Sequence, residues 1–209
     1  MQREERSERS RRQVLDAALQ LFSRQGYRAT TMREIADSAG VSTGNVYHHF
    51  PDKESIFRTL LDDYSEIIDT QRFPFSRALR SGIFPDNLEL LGFAARDSVR
   101  QFRQYMALIF VDVIEFDGTH IRKFYSDMGR RFMHIIEEEG ALDAVKSHVR
   151  PGVNPSSAVL LVTRVFFSYF QLEILFGIAE PFGKDSSEMV REIADILRSG
   201  IVGNSKIEN

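Results

Sequence analysis

The residues of this chain best suited to chemistry are not those of catalysis. Five histidines stand at positions 48, 49, 120, 134 and 148. None is paired with another at the spacing that sets two imidazoles on one helix face around a metal, and the adjacent His48 and His49 point apart. There is no cysteine, so thiolate metal sites, cysteine nucleophiles and disulfides are excluded, in keeping with a reducing cytoplasm. No GxSxG, phosphate-loop or dinucleotide pattern occurs. The sequence therefore predicts no enzyme, with no catalytic residue, metal or cofactor. A different group stands out: Thr43, Gly44, Asn45, Tyr47 and His48 lie within six positions. Small, hydrogen-bonding and aromatic-polar side chains in that mixture suit base edges and phosphates.

Three short helices must position them. Val14, Leu15, Ala18, Leu19 and Phe22 recur at helical spacing, and Gly26 ends that helix. Thr31, with Glu34 three residues on, is a capping-box start for a second helix whose Ile35, Ala36 and Ala39 face inward. Gly40 allows a sharp turn with positive φ, and Val41 fills the corner. Ser42 caps a third helix to about Phe50, with Val46 and Phe50, four apart, as its inward side. The remaining side chains point outward near a helix N-terminus, whose free N–H groups and dipole suit phosphate. This is a helix-turn-helix layout, and such a helix, inserted by its N-terminal end, meets base edges with those same residues. Pro51-Asp52 breaks the pattern. A longer helix then starts near Lys53 and carries Ile56, Phe57, Leu60, Leu61 and Tyr64.

The stretch VLDAALQLFSRQGYRATTMREIADSAGVSTGNVYHHFPDKESIF, residues 14–57, strongly resembles the TetR family of bacterial regulators. The coinciding details are Ala17-Ala18, Phe22, Gly26-Tyr27, Ala29-Thr30-Thr31, Ile35-Ala36, Ala39-Gly40-Val41-Ser42, Gly44, Tyr47, Phe50 and Lys53-Glu54. The resemblance implies a repressor released from a double-stranded DNA operator by a small-molecule effector. It implies that Thr31 and Arg33 meet the DNA backbone, that Thr43 and Asn45 read bases, and that Gly44 permits close approach. Tyr47, His48 and Lys53 would bind phosphates. Asn45 favours adenine if it pairs by two hydrogen bonds. Family members often carry a basic residue where Thr43 stands.

The expected fold class is all-α, with an N-terminal three-helix helix-turn-helix DNA-binding domain over residues 1–53. A C-terminal helical domain for effector binding and dimerisation takes residues 54–209. No period-two alternation is sustained, so no sheet is expected. The net charge of −3 is uneven: residues 1–53 hold nine Lys/Arg against seven Asp/Glu, the remainder eighteen against twenty-three. Arg3, Arg6, Arg9, Arg11 and Arg12 form a possible arm before the first helix. The Arg- and Glu-rich start is not a secretory signal. Residues 83–87 and 149–156 suggest loops, and Gly203–Asn209 a frayed end.

The second half carries the apolar run Ala158–Ile178, long enough for a membrane span. Arg164 and Glu173 within it oppose that reading, which favours a helix buried on most sides and no membrane. Its two-sided apolar pattern calls for a cover beyond the subunit, and a homodimer supplies one. The candidate interface is Val162, Phe166, Tyr169 and Glu173, with Met189, Ile193, Ile196 and Leu197 from the following helix. Phe93, Phe102, Tyr105, Phe110, Asp112, Phe116, Phe166 and Phe170 either line a pocket for a small lipophilic or aromatic effector or fill a core. Asp112 and Glu115 either turn inward, favouring a cationic ligand, or lie on a solvated face, the commoner place for carboxylates. The competing functional readings are a helical protein-interaction module and a regulator without a small-molecule ligand.

Overall fold

The computed structural model describes residues 2–138 and 142–201. The frayed end expected at Gly203–Asn209 lies outside them. Among the described residues the chain forms helices and no strand. These are α1 (Gln2–Gln25), α2 (Met32–Ala39), α3 (Thr43–His49), α4 (Lys53–Ile68), α5 (Pro74–Ser81) and α6 (Leu88–Gln101). They continue with α7 (Arg103–Phe116), α8 (Ile121–Glu138), α9 (Leu142–His148), α10 (Pro155–Phe170) and α11 (Ser186–Ile201). A π-helical turn, Gln171–Leu175, extends α10.

Packing divides the chain into two units. The first takes residues 1–66 and 104–124, the second 67–103 and 125–209. The first unit is therefore larger than the 1–53 head read from the sequence. It adds most of α4 and the α7–α8 corner. Its core joins Val14, Leu15, Ala18 and Phe22 of α1 to Ile35, Ala36, Val46 and Phe50 of the motif, with Ile56, Phe57 and Leu60 of α4. Rings bind it further: Phe22, Tyr27 and Phe57 stand 5.5–5.6 Å apart, centroid to centroid, and Phe116 lies 4.6 Å from Tyr27 and 5.1 Å from Phe57. The arginines expected as an arm sit on α1 itself, which begins at Gln2.

In the second unit α6 is the hub, packed by α5, α10 and α11. Gly92 makes this possible, since a Cβ there would stand 2.7 Å from both Phe166 Cε1 and Val190 Cγ1. In the same unit Phe167 stacks on Phe73 and meets Phe75 edge-on, and Phe132 packs at a tilt on Phe75. Ion pairs Arg80–Glu138 at 2.9 Å and Arg131–Asp69 at 2.7 Å fasten its polar side. Asn154 caps α10 through the N–H groups of Ser156 and Ser157, with Pro155 in the first turn. Among the described residues, Pro155–Leu175 has the length and composition to cross a membrane, and 39% of its most apolar window is buried. Burial on most sides, as expected from its sequence, is thus corrected. One face of α10 is inward, while Leu160, Leu161, Arg164 and Ser168 are exposed.

Candidate nucleic-acid interface

The motif is built as its sequence dictates. Thr31 caps α2: its Oγ1 accepts from Glu34 N at 3.2 Å, and its own N–H donates to Glu34 Oε2 at 2.7 Å. Thr31 Oγ1 also donates to Glu34 Oε2 at 2.8 Å, and this bond first and the Thr31 N–H second hold the Glu34 carboxyl below its ordinary pKa. Gly40 ends α2 with φ +68° and donates to Ala36 O and Asp37 O. No atom lies within 4 Å of a Cβ built there, so the turn needs glycine for its conformation and not for space. Ser42 Oγ accepts from Asn45 N at 3.2 Å. Val46 and Phe50 are buried beneath α3.

The opposite face of α3 carries the expected residues. Thr43, Gly44, Tyr47 and His48 are exposed, Tyr47 by 53%. Arg33, exposed on α2, lies 3.9 Å from Asp37. Asn45 differs, for it is half-buried and its Oδ1 accepts from Ser10 Oγ at 2.5 Å. Lys53 differs more. Its ammonium donates to the carbonyls of Tyr27 and Thr30, each at 2.6 Å, and lies 4.1 Å from the Tyr27 ring centroid. Two of its three donors are thus used inside the protein. Desolvation pushes its pKa down, against the pull of Glu115 and Glu34. His49 is half-buried, and burial, then the charges of His48 and Arg11, lower its pKa.

Sequence reasoning missed a second layer behind this face. Glu115, at the end of α7, accepts Tyr27 N at 3.0 Å on Oε1 and Arg28 N at 2.6 Å on Oε2. It therefore satisfies the loop between α1 and α2. Gly26 leaves room for it: its φ is +87°, and a Cβ would lie 2.6 Å from Glu115 Oε1. Asp112 is fully buried, accepts Ile121 N at 3.1 Å, and stands 2.6 Å from His120 Nδ1. His120 Nε2 faces Glu54 at 3.5 Å. A solvated face for Asp112 and Glu115 is thereby corrected. Both turn inward to protein partners, because buried carboxylates need hydrogen bonds or counter-charges. The sequence carried no signal for the Glu115 bonds, whose partners are 88 and 87 positions away, whereas those of Asp112 lie 8 and 9 positions on, across the α7–α8 corner.

The eight aromatic and acidic candidates for a pocket are shared between the two units. Tyr105, Phe110, Asp112 and Phe116 belong to the first unit, Phe93, Phe102, Phe166 and Phe170 to the second. Tyr105 stacks on Tyr64 at 5.3 Å, Phe110 is exposed, and Phe116 packs against Tyr27 and Phe57. Phe102, Phe166 and Phe170 are buried, and Phe93 lies beneath the Arg96 guanidinium. A groove of about 740 Å³ in the second unit is lined instead by Gly129, Arg130, Arg131, Met133, His134, Glu137 and Ser156. The expected dimer stripe also turns inward. Val162 and Phe166 are fully enclosed by their own subunit, and Tyr169, Met189, Ile193 and Leu197 are buried too. Glu173 accepts from Ser186 Oγ at 2.7 Å. Only Ile196 of that set is strongly exposed, at 66%. The correction is one of facing: the helical stripe was found, but α6 already covers it.

Residues 14–60 match a family model described as bacterial regulatory proteins, tetR family. The repressor KstR2 of Rhodococcus jostii RHA1 is 50% identical over 66 residues, covering 28% of this chain and 32% of that protein. The regulator HbdR of Aromatoleum sp. CIB is 44% identical over 68 residues, covering 31% and 30%. The chain thus spans about a third of the length of these two relatives. Solved structures match along most of the chain. A putative TetR-family regulator from Mesorhizobium loti aligns with TM-score 0.68 at 21% identity, over 94% of this chain and 98% of that one. The ketosteroid transcriptional regulator KstR2 of Mycobacterium tuberculosis aligns with TM-score 0.55 at 20% identity, over 93% and 95%. At such identities the likeness concerns the fold.

Proposed function

By residues 14–60 this chain belongs to the TetR family of bacterial regulatory proteins, and from that premise we propose that it is a cytoplasmic DNA-binding transcriptional repressor. The observation that carries this reading is the exposed face of α3. A short capped helix held from below by Val46 and Phe50 offers Thr43, Gly44, Tyr47 and His48 outward, with Asn45 at its edge. In the proposed complex Thr43 and Asn45 meet base edges, and Gly44 lets the helix approach. Tyr47, His48, Arg33 and Thr31 meet the backbone, which fixes register without reading sequence. Lys53 reaches phosphate only with its remaining N–H. The functional head is residues 1–53, and residues 54–209 serve dimerisation and effector binding.

The repressor acts as a homodimer, since two heads one DNA turn apart, about 34–36 Å, match a two-fold operator. The partner subunit covers the outward faces of α10 and α11, where Leu161 and Ile196 are 52% and 66% exposed. A small lipophilic or aromatic effector releases the operator by binding the two states unequally. One relative in structure is a ketosteroid transcriptional regulator, and the ring-rich second unit suits a ligand of that apolar character. Displacing α4 strains the Lys53 bonds to Tyr27 and Thr30 and so moves the loop that leads into α2. A regulator without a ligand is the second reading. It is favoured by the full burial of Phe166 and Phe170, which behave as core.

The test is retardation of DNA fragments upstream of the gene and its neighbours, on a gel at stated salt. Binding of one fragment in preference to bulk DNA is expected. If no promoter fragment of the source genome is retarded at moderate salt, the repressor reading fails and a helical protein-interaction module replaces it.

A further inference from the structure

The first turns of α1 are charged almost throughout, and their two signs are sorted around the helix. Arg6 and Arg3 stand four and seven residues before Ser10, about one and two turns further out and within about 40° of its direction. Glu4, Glu5 and Glu8 lie about 120–160° round the helix from Ser10, with Arg9 between the two sides at about 100°. Contacts show which way each side faces. Ser10 Oγ donates to Asn45 Oδ1 at 2.5 Å, so its side is turned to the edge of α3. Arg12, about 160° from Ser10, pairs with Asp63 of α4 at 3.8 Å, so the acidic side runs on toward α4. Arg3 and Arg6 are exposed, and among the described residues neither is held by a carboxylate of the protein. They do not serve the helix. Three apart, they are like charges on one face, and Arg3 lies in the first turn, at the positive pole of the dipole. A phosphate beside them makes both arrangements favourable. The head holds only nine Lys/Arg against seven Asp/Glu, so it is this sorting, more than net charge, that sets positive charge next to α3.

Resting on the proposal that α3 enters the DNA groove, we infer that the first two turns of α1 are a second DNA-binding segment. Arg3 and Arg6 bind backbone phosphates of double-stranded DNA beside that groove. They carry no sequence information and fix register and affinity. The Ser10–Asn45 bond ties this stripe to α3, so that the two helices meet the duplex together.

The experiment measures the affinity of the full chain for a promoter fragment that wild type retards, over a series of salt concentrations. The proteins are wild type, Arg6→Ala, Arg3→Ala/Arg6→Ala, Arg3→Lys/Arg6→Lys and Arg12→Ala. The slope of log affinity against log salt should flatten by about 0.9 for Arg6→Ala and about 1.8 for the alanine pair, one phosphate for each residue. The lysine pair keeps the charges and should keep the slope. Arg12→Ala removes the same charge from the α4 side and should leave the slope unchanged. The order of preference among DNA fragments should not move in any variant. An unchanged slope in the alanine pair overturns the inference and leaves the reading of α3 standing. So does a loss in Arg12→Ala equal to that in Arg6→Ala, since net charge alone would then act, or a loss in the lysine pair as large as in the alanine pair. Wild type that retards no fragment overturns the reading of α3, and this inference with it.

Discussion

Replacing Glu115 by alanine should loosen the head from behind without touching any residue proposed to meet DNA. The side chain is only 15% exposed and accepts two backbone N–H groups, from Tyr27 at 3.0 Å and Arg28 at 2.6 Å. A hydrogen bond to a charged group contributes about 1.5–3 kcal/mol net, and a buried donor left alone costs about 1–3 kcal/mol. The Arg28 bond is exposed and regains water, so Tyr27 dominates. The ion pair to Arg28 at 4.0 Å, with Arg28 78% exposed, adds little. The expected loss is about 2–4 kcal/mol, a large share of the ~5–15 kcal/mol that holds a domain. Urea unfolding at neutral pH should show a lower midpoint with unchanged slope. Gly26→Ala gives the internal control. Its added Cβ meets Glu115 Oε1 at 2.6 Å and must also adopt φ +87°. In a Glu115→Ala background the clash disappears and only the backbone strain, about 1–3 kcal/mol, remains. The two substitutions should therefore be less than additive. A loss below about 0.5 kcal/mol for Glu115→Ala, the scale of an ordinary surface change, would refute the reasoning, and so would strict additivity of the pair.

Tyr47 and Lys53, two of the residues assigned to phosphate, should separate under substitution. Tyr47→Ala should weaken binding to all sequences and flatten the salt slope with unfolding unchanged, whereas Lys53→Ala should also lower stability by about 1–3 kcal/mol, as two carbonyls lose their donor. Equal unfolding midpoints for the two variants would contradict the carbonyl clamp. The capping box should be acid-sensitive. Because hydrogen bonds from Thr31 depress the folded pKa of Glu34 below 4.5, its stabilisation is complete above that value and is lost as pH falls through the lower folded one. Glu34→Gln should thus narrow the difference in stability between neutral and acid pH, and an unchanged acid limb would count against the bond. Leu161→Asp and Ile196→Asp should dissociate a dimer formed through α10 and α11, as sedimentation would register, whereas Val162→Ala should reduce subunit stability by cavity formation.

What could be deduced from residue order was local. Thr31 with Glu34, Gly40, and Ser42 before Val46 each act within a few positions, so their spacing states their structure. Ser10 with Asn45 and Glu115 with Tyr27 do not, since each bond joins distant segments and leaves no pattern in either. Carboxylates on helices usually face water, so Asp112 and Glu115 suggested a solvated surface; the partners of Glu115 lie far off in the sequence, and those of Asp112 are brought to it only by the turn between α7 and α8. The α10 stripe failed differently. Periodicity finds an apolar side but not its cover. Gly92 decided the matter by letting Phe166 and Val190 close over α6.

The membership of residues 104–124 in the first unit has a bearing on the life of the chain before it is complete. Synthesis proceeds from the N-terminus at about 5–20 residues per second, so roughly four to fifteen seconds separate the making of α3 from that of Phe124. Through that interval Tyr27 and Arg28 have no Glu115, and Phe57 has neither Phe116 nor His120 against it. Although α3 is made before it, the ground beneath that helix is laid only 66 positions later, when the chain reaches Glu115. A nascent chain interrupted before α7 carries every residue assigned to the operator and still lacks the part that holds them in place.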